Sequence, residues 1–284
     1  MMNDLVIRQM TEDDESFFLE LISLTGWGNT ADDLGRMLHY EPLGCFVTVL
    51  DGADAGIVAS TDYGEVGWIG NLMVLPERRG RGIGAALMRR AMCHLLDSGV
   101  HSIRLDAVEK AIPLYERLGF RTEFGSLRFT GTGKPTQVKG TEAMKASDMG
   151  EVVELDTRFF GASRERMLGR VQGDFPGLCY VARAASRIVG FIMSKPSDVS
   201  VRIGPWICEP GRPDLAESLL RRLMGEVRGE NLWIGVPEEN QASVKILKEN
   251  GFESLPTSLR MCYGRCEPMG DAAGRFSIGA ADKG

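Results

Sequence analysis

An internal repeat joins the two halves of this chain and most constrains its fold. Ser126-Leu127-Arg128 recurs as Ser258-Leu259-Arg260, a displacement of 132 residues. Positions nearer the start are displaced by 134 residues, as Cys45 is from Cys179. A repeat at a nearly constant spacing indicates a duplicated domain, because each copy preserves the order of one structural unit. We therefore expect two copies of one fold.

The stretch from Gly67 to Leu96 in the first copy predicts a buried strand, a basic glycine loop and a helix. An apolar run ends at Pro76, and helical spacing of apolar residues begins at Ile83. The loop between them is Arg78-Arg79-Gly80-Arg81-Gly82. Glycines let successive N–H groups point into one concavity, and the first helical turn adds unpaired donors. With three arginines beside it, this loop is expected to bind a pyrophosphate. The alternative is a glycine-rich turn that carries solvated arginines.

The same loop carries a resemblance to a known family. Arg79-Gly80-Arg81-Gly82-Ile83-Gly84 fits an Arg/Gln-x-x-Gly-x-Gly/Ala signature, and Tyr115 precedes Gly119-Phe120 downstream. Together these motifs resemble the GNAT superfamily of acyl-CoA-dependent N-acetyltransferases. Dinucleotide-binding and Walker loops fit less well, because the loop lacks a Gly-Lys-Ser/Thr ending and is not Gly-x-Gly-x-x-Gly after a first strand. The resemblance implies an α/β (α+β) fold of two tandem GNAT domains, each a mixed, mostly antiparallel central sheet flanked by helices.

The resemblance also implies acetyl-CoA as cosubstrate, and no metal. The backbone N–H groups of Leu72 and Val74 would hold the pantetheine arm and polarise the acetyl carbonyl, where the strand splays from its neighbour. The residues that would contact acetyl-CoA lie on the strand and in the loop, and they are Leu72, Met73, Val74, Arg79, Gly80, Arg81, Gly82, Ile83, Gly84 and Ala85.

Three residues are candidates for the proton transfers of amine acetylation. A phenol that titrates near 10 can protonate a departing thiolate whose acid form titrates near 8.5. In the family, the tyrosine shortly before Gly-Phe takes this role, which implies Tyr115; the alternative is a tyrosine packed under the loop. Many family members carry a glutamate on the central strand that acts as the general base, but Trp68 stands there in this chain. Glu65 and Asp106 are candidate replacements, and a relay of ordered waters is the alternative.

The second copy differs from the first in the phosphate loop. Two residues are missing there, and the sequence is Glu209-Pro210-Gly211-Arg212-Pro213-Asp214. Prolines lack N–H donors and acids repel phosphate, so this loop is expected not to bind a cofactor. The 132-residue displacement also places Leu247 opposite Tyr115. We therefore predict that the second copy has lost both cofactor binding and chemistry.

These observations predict four segments. Residues 1–130 form an N-terminal domain that binds acetyl-CoA and carries the chemistry, and residues 131–139 form a linker. Residues 140–263 form the degenerate second domain. The stretch 264–284 is rich in Gly and Ala with little periodicity, so it is expected to be a disordered tail.

The composition limits the partners. A net charge of −6 and a pI near 5.3 argue against a general binder of nucleic acid or anionic membranes. No leader-like start or apolar run long enough for a bilayer is present, which predicts a soluble cytoplasmic protein. The six cysteines are expected to be free thiols. A metal site or a disulfide at Cys262 and Cys266 is the less favoured alternative, since no second Cys/His pair lies nearby.

The leading hypothesis is an N-acetyltransferase that moves an acetyl group from acetyl-CoA to a primary amine of a small molecule or peptide. The missing strand glutamate motivates an alternative, a non-catalytic acyl-CoA-binding regulatory or scaffold protein. A third hypothesis is that the duplication chiefly builds a protein-interaction surface.

Overall fold

The computed structural model describes residues 5–284 and divides into two compact units. Unit 1 contains the chain up to Thr122, with Met261–Cys266 and Asp282–Gly284. Unit 2 contains Glu123–Arg260 and Glu267–Ala281. These bounds differ from the expected 1–130 and 140–263, because most of the last strand of the first copy belongs to unit 2. Conversely, the end of the last strand of the second copy belongs to unit 1.

Unit 1 is built on a sheet of five strands from the first copy and four helices. The strands are β1 (Leu5–Gln9), β2 (Cys45–Leu50), β3 (Ala53–Asp62), β4 (Val66–Val74) and β5 (Ser102–Ala107). The helices are α1 (Glu15–Thr25), α2 (Ala31–Tyr40), α3 (Ile83–Asp97) and α4 (Ile112–Arg117). Strands β1 to β4 pair antiparallel in chain order, and β5 pairs parallel to β4. The expected mixed, mostly antiparallel sheet is confirmed.

The two faces of this sheet are covered by different helices. Ile57 and Met73 lie in one core cluster with the apolar residues of α1 and α2. A Cβ atom on Gly56 would meet Leu87 of α3, and one on Gly67 would meet Leu95 of α3. Because side chains alternate along a strand, these residues identify an α1/α2 face and an α3 face.

Strand β4 carries a bulge and then loses its parallel partner. Ala59 pairs with Gly70, but Ile57 pairs with Met73, so β4 has one extra residue at this point. Asn71 takes a left-handed conformation there, with φ of 50°. The pairing between β4 and β5 extends from Val66 to Trp68. A gap between the two strands therefore opens at Gly70.

Unit 2 repeats this plan. Its strands are β6 (Arg121–Thr132), β7 (Thr141–Ala143), β8 (Cys179–Ala184), β9 (Arg187–Pro196), β10 (Val201–Cys208), β11 (Asn231–Pro237) and β12 (Glu253–Gly264). Its helices are α5 (Met149–Phe160), α6 (Glu165–Asp174), α7 (Pro213–Glu226) and α8 (Gln241–Glu249). The parallel pair is β10 and β11, which corresponds to β4 and β5 in unit 1. The first residues of β6 and the last of β12 belong to unit 1.

The repeated Ser-Leu-Arg motif lies on β6 and β12, which are neighbours in the sheet. The Arg128 guanidinium donates to the hydroxyl oxygens of Ser126, at 3.0 Å, and Ser258, at 2.7 Å. Arg128 is buried, so these bonds satisfy a charge that is costly to bury without partners. The two copies of the motif thus lie side by side, and the arginine of the first copy binds a serine of each.

The segment after β12 is packed, which corrects the expectation of a disordered tail. Phe276, Ser277 and Ile278 are each less than 7% exposed. The N–H of Phe276 donates to the Trp206 carbonyl at 2.9 Å, and that of Ile278 to the Gly235 carbonyl at 2.9 Å. Few apolar residues suffice for order here because the segment enters a groove already formed by other strands.

Cys262 and Cys266 form a disulfide, with their Cα atoms 5.8 Å apart, instead of the expected free thiols. The other four cysteines are free. Cys262 lies near the end of β12 and Cys266 two residues beyond it, so the turn of the chain there brings the two sulfurs together. None of the helices within residues 5–284 has the length and apolar content to cross a membrane.

Candidate active site

The glycine loop of unit 1 lies at the start of α3, as its sequence predicted. Gly80 and Gly82 have φ of 77° and 80°, and a Cβ on either would meet nothing within 4 Å. Gly82 is the residue before the helix, and among the described residues no side chain caps the helix there. The first-turn N–H groups therefore point toward open space beside the exposed Arg79 and Arg81. This arrangement suits an extended anion.

Strand β4 presents backbone donors toward the gap. The N–H of Leu75 donates to the Ala55 carbonyl of β3 at 3.0 Å. Because N–H groups alternate along a strand, that of Val74, and by the same period that of Leu72, faces the side on which β5 has separated. Leu72 and Val74 are both half-buried. Arg79 links the loop to this strand, since its Nε donates to the Val74 carbonyl at 3.0 Å.

Tyr115 lies in α4 and is 8% exposed. Its ring stands edge-on to Phe120, with the ring centroids 6.0 Å apart. Burial raises the pKa of Tyr115 to about 12, because an ionised phenolate would lose its hydration. The hydroxyl is therefore protonated at neutral pH, as a proton donor must be.

The two candidate carboxylates lie at different levels of the sheet. Glu65 is exposed and precedes Leu72 by seven residues, roughly 23 Å along an extended strand. Asp106 is half-buried on β5. Since Trp68 pairs with Arg104, Asp106 stands level with Gly70, where the gap opens, and on the α1/α2 face. The structure thus brings Asp106, but not Glu65, to the gap.

The second copy fills the corresponding places with its own groups. By the 134-residue displacement Trp206 corresponds to Leu72, and the backbone N–H of Trp206 donates to the Ser277 hydroxyl oxygen at 2.8 Å. The packed segment thus bridges β10 and β11 just past their parallel pairing. At the loop position, Glu209 forms ion pairs with Arg187 at 2.7 Å, Arg158 at 3.6 Å and Arg212 at 3.8 Å. These side-chain contacts hold the pKa of Glu209 below its usual value.

Comparison with protein families identifies both copies. Residues 7–120 match the family described as Acetyltransferase (GNAT) family, and residues 152–275 match that described as Acetyltransferase (GNAT) domain. The chain belongs to the GNAT superfamily. Its two GNAT domains stand in tandem, and the first contains the glycine loop, Tyr115 and the bulged strand β4. Within residues 5–284 no cluster of His, Cys, Asp or Glu side chains is suited to hold a metal ion.

Several relatives share this tandem GNAT organisation or one copy of it. An uncharacterized N-acetyltransferase of Bacillus subtilis, YitH, is 22% identical over 86% of each chain. A glucosamine 6-phosphate N-acetyltransferase of Trypanosoma brucei brucei is 32% identical over 44% of this chain and 95% of its own. A candidate acetyltransferase from Pyrococcus horikoshii has the same fold over 99% of this chain and 96% of its own, with a TM-score of 0.84 and 23% identity. A tandem GNAT protein of the clavulanic acid biosynthesis pathway covers 93% of this chain and all of its own, with a TM-score of 0.67 and 15% identity.

Sequence reasoning missed two GNAT-domain residues beside the gap, Gly70 and Asn71. Asn71 is 5% exposed, and its side chain lies on the α1/α2 face beside Met37. One signal could have found it: asparagine is one of the few non-glycine residue types enriched in left-handed backbone, and it interrupts an apolar strand here. Gly70 gives a weaker signal, because a glycine in a strand can have several causes.

Proposed function

We propose that this GNAT protein transfers an acetyl group from acetyl-CoA to a primary amine, and that the first domain alone carries the reaction. The observation that carries the proposal is the uncapped, open glycine loop leading into the gap beside β4. In the second domain the corresponding loop carries Glu209, whose negative charge pairs with Arg187. The corresponding groove, between β10 and β11, is occupied by Phe276–Ile278. The Trypanosoma relative is named for acetylation of an amino sugar, which supports an amine acceptor.

The chain's own groups suit each part of such a transfer. When bound, acetyl-CoA supplies an acetyl group activated as a thioester. The N–H donors of the loop from Gly80 to Ala85 hold the pyrophosphate. The N–H groups of Leu72 and Val74 hold the pantetheine arm and donate toward the acetyl oxygen, where they stabilise the negative charge that develops during attack.

Two side chains account for the protons. An acceptor ammonium titrates near 10 and must lose one proton before it can attack, and Asp106 takes it directly or through water. The N–C bond then forms as the C–S bond breaks. Tyr115 gives its proton to the departing sulfur, and the second proton lost by the nitrogen restores Tyr115. The sum is one amide, one CoA thiol and one released proton.

Calorimetric titration with acetyl-CoA tests the assignment to one domain. Gly82 and Gly211 are matched sites, since both have φ near 80° and both leave open space where a Cβ would stand. Gly82→Glu and Gly211→Glu therefore add the same strain and the same charge to the two copies. We expect one binding site in the parent, lost in Gly82→Glu and kept in Gly211→Glu.

Release of CoA thiol over a panel of primary amines tests the chemistry. Turnover in the parent and in Gly211→Glu, but not in Gly82→Glu, is the expected result. Binding without turnover on any amine would instead favour a non-catalytic acyl-CoA-binding protein. Binding that survives Gly82→Glu and is lost in Gly211→Glu would contradict the assignment to the first domain.

A further inference from the structure

A short segment of unit 1, Asp282–Gly284, lies on the α1/α2 face of β4 beside the proposed acetyl site. A Cβ atom on Gly70 would stand 2.4 Å from both the Cα and the carbonyl oxygen of Asp282. Real Cβ atoms do not approach so closely, so only glycine permits this contact. The strand at Gly70 is therefore shaped to receive the backbone of another chain segment.

Side chains of unit 1 hold this docking segment by its polar groups. The Tyr63 hydroxyl donates to the Lys283 carbonyl at 2.7 Å. Asn71 Nδ2 donates to an Asp282 carboxylate oxygen at 3.1 Å. The bulge in β4 aims Asn71 at the segment, because its left-handed backbone turns the side chain away from the regular alternation. A peptide carbonyl and a neighbouring carboxylate are thus both recognised.

The Lys283 ammonium is held in a polar and aromatic site although the residue is only 9% exposed. Its Nζ lies 5.7 Å from the centre of the Tyr40 ring and 2.5 Å from the Asp282 carboxylate. Burial acts to lower the pKa of Lys283, but Asp282, Tyr40 and the buried Asp33 outweigh it and raise that pKa. Tyr40 and Asp33 of α2 and the adjacent carboxylate of Asp282, which is part of the segment, thus stabilise a cation here together.

The position of the docking segment fits that of an acceptor. Gly70 and Asn71 directly precede Leu72, whose N–H faces the gap between β4 and β5. The glycine loop leads into α3, which covers the opposite face of the sheet. A cosubstrate held by that loop and a ligand on the α1/α2 face would therefore meet at the gap from opposite sides.

We propose that the α1/α2 face of β4 at Gly70 and Asn71 is a binding site for a lysine-like primary ammonium carried beside a peptide-type carbonyl, and that Asp282–Gly284 occupies it as an internal mimic. The role of this site as the acceptor site rests on the proposed acetyl transfer. Acceptors of this class must displace the docking segment, which lowers their apparent affinity.

Calorimetry without acetyl-CoA tests the site independently of the reaction. The probe is N-acetyl-aspartyl-lysyl-glycine amide, and the matched probe has norleucine in place of lysine. We expect a chain shortened after Ala281 to bind the lysine probe about tenfold more tightly than the full chain does. It should also prefer lysine over norleucine by about tenfold. If the shortened chain does not fold, the full chain with Lys283→Gly replaces it, and its binding of the two probes is compared with that of the parent in the same way.

Two glycine substitutions in the shortened chain locate the binding. Gly70→Ala should abolish probe binding, since its methyl group would take the place of the probe backbone. Gly35→Ala, whose Cβ would meet nothing within 4 Å, should leave it unchanged. Equal binding of the two probes, or binding that survives Gly70→Ala, would overturn the proposal, as would no binding to any folded variant.

The outcomes also separate this site from the reaction. A probe that binds in a Gly70-dependent way but is never acetylated leaves the site in place and counts against the acetyl transfer. CoA release with other amines, with no binding of the lysine probe, leaves the transfer in place and refutes the site.

Discussion

Replacement of Phe276 by alanine should destabilise unit 2 strongly, because the segment after β12 is part of its core. Phe276 is 3% exposed, and its ring centroid lies 5.0 Å from that of Trp206. Loss of the buried ring removes about 1.5–3 kcal/mol of transfer free energy. Loss of the aromatic pair removes a further ~0.5–1.5 kcal/mol, and the cavity adds to both. We therefore expect a decrease of about 3–5 kcal/mol in the free energy of unfolding.

Urea denaturation followed by tryptophan fluorescence measures this decrease, because Trp206 itself reports on the neighbourhood of Phe276. Phe276→Leu keeps most of the volume and should cost less than about 1.5 kcal/mol. Val199→Ala is a surface control, since Val199 is 60% exposed, and it should change the stability by no more than about 0.5 kcal/mol.

A loss below about 1 kcal/mol in Phe276→Ala would show that the segment does not pack as described. The sequence-based expectation of a disordered tail would then stand, and the backbone N–H of Trp206 would be free to bind a ligand. Acetyl-CoA binding provides a second readout. It should be retained in folded Phe276→Ala, because the proposed binding residues all belong to unit 1.

Of four further predictions, three concern the reaction and the fourth concerns a buried ion pair. Tyr115→Phe should lower kcat/KM by about 10²–10⁴-fold with acetyl-CoA affinity unchanged, measured by thiol release and calorimetry. Because the pKa of Tyr115 is raised to about 12, the parent should not lose the acid form of this phenol as pH rises from 8 to 10. Asp106→Asn should lower kcat/KM about 10²-fold or more while Glu65→Gln leaves it unchanged, which a water relay alone would not produce. Asp156→Ala should cost about 3–5 kcal/mol in urea denaturation, since it leaves the buried Arg164 guanidinium without the carboxylate that now lies at 2.6 Å.

The sequence predicted those parts of the site that depend on local pattern. The apolar run before Pro76, the glycine loop and the helical spacing from Ile83 each act within a few residues, and the structure has the strand, loop and helix in that order. The repeat likewise predicted a second copy of the same fold, because matching residues recur in the same order at a nearly constant displacement. The position of Asp106 at the gap followed only from the register of β5 against β4, which depends on residues far apart in the chain.

The packed segment after β12 could not be predicted in this way. Phe276 and Ile278 are two apolar residues among glycines and alanines, and they show no helical or strand period. Their order comes from a groove whose walls, β10 and β11, are formed elsewhere in the chain. The assignment of the ends of β6 and β12 to the two units could not be predicted for the same reason. Both have ordinary strand patterns, and such a pattern does not show which strand pairs with them.

The two copies use one strand position in the same way. Gly70 and Gly204 are 134 residues apart, as the repeat requires, and a Cβ on Gly204 would clash with the Gly279 carbonyl as one on Gly70 would with Asp282. Each copy therefore admits the backbone of another segment at this point of its central strand. In the second copy the adjoining donor at Trp206 is also taken by Ser277, so the segment fills the groove itself. In the first copy the contacts are with the strand face, and the N–H groups of Leu72 and Val74 point toward the gap. A duplicated fold thus puts one strand position to two uses, internal packing in unit 2 and, as we propose, an exchangeable ligand in unit 1.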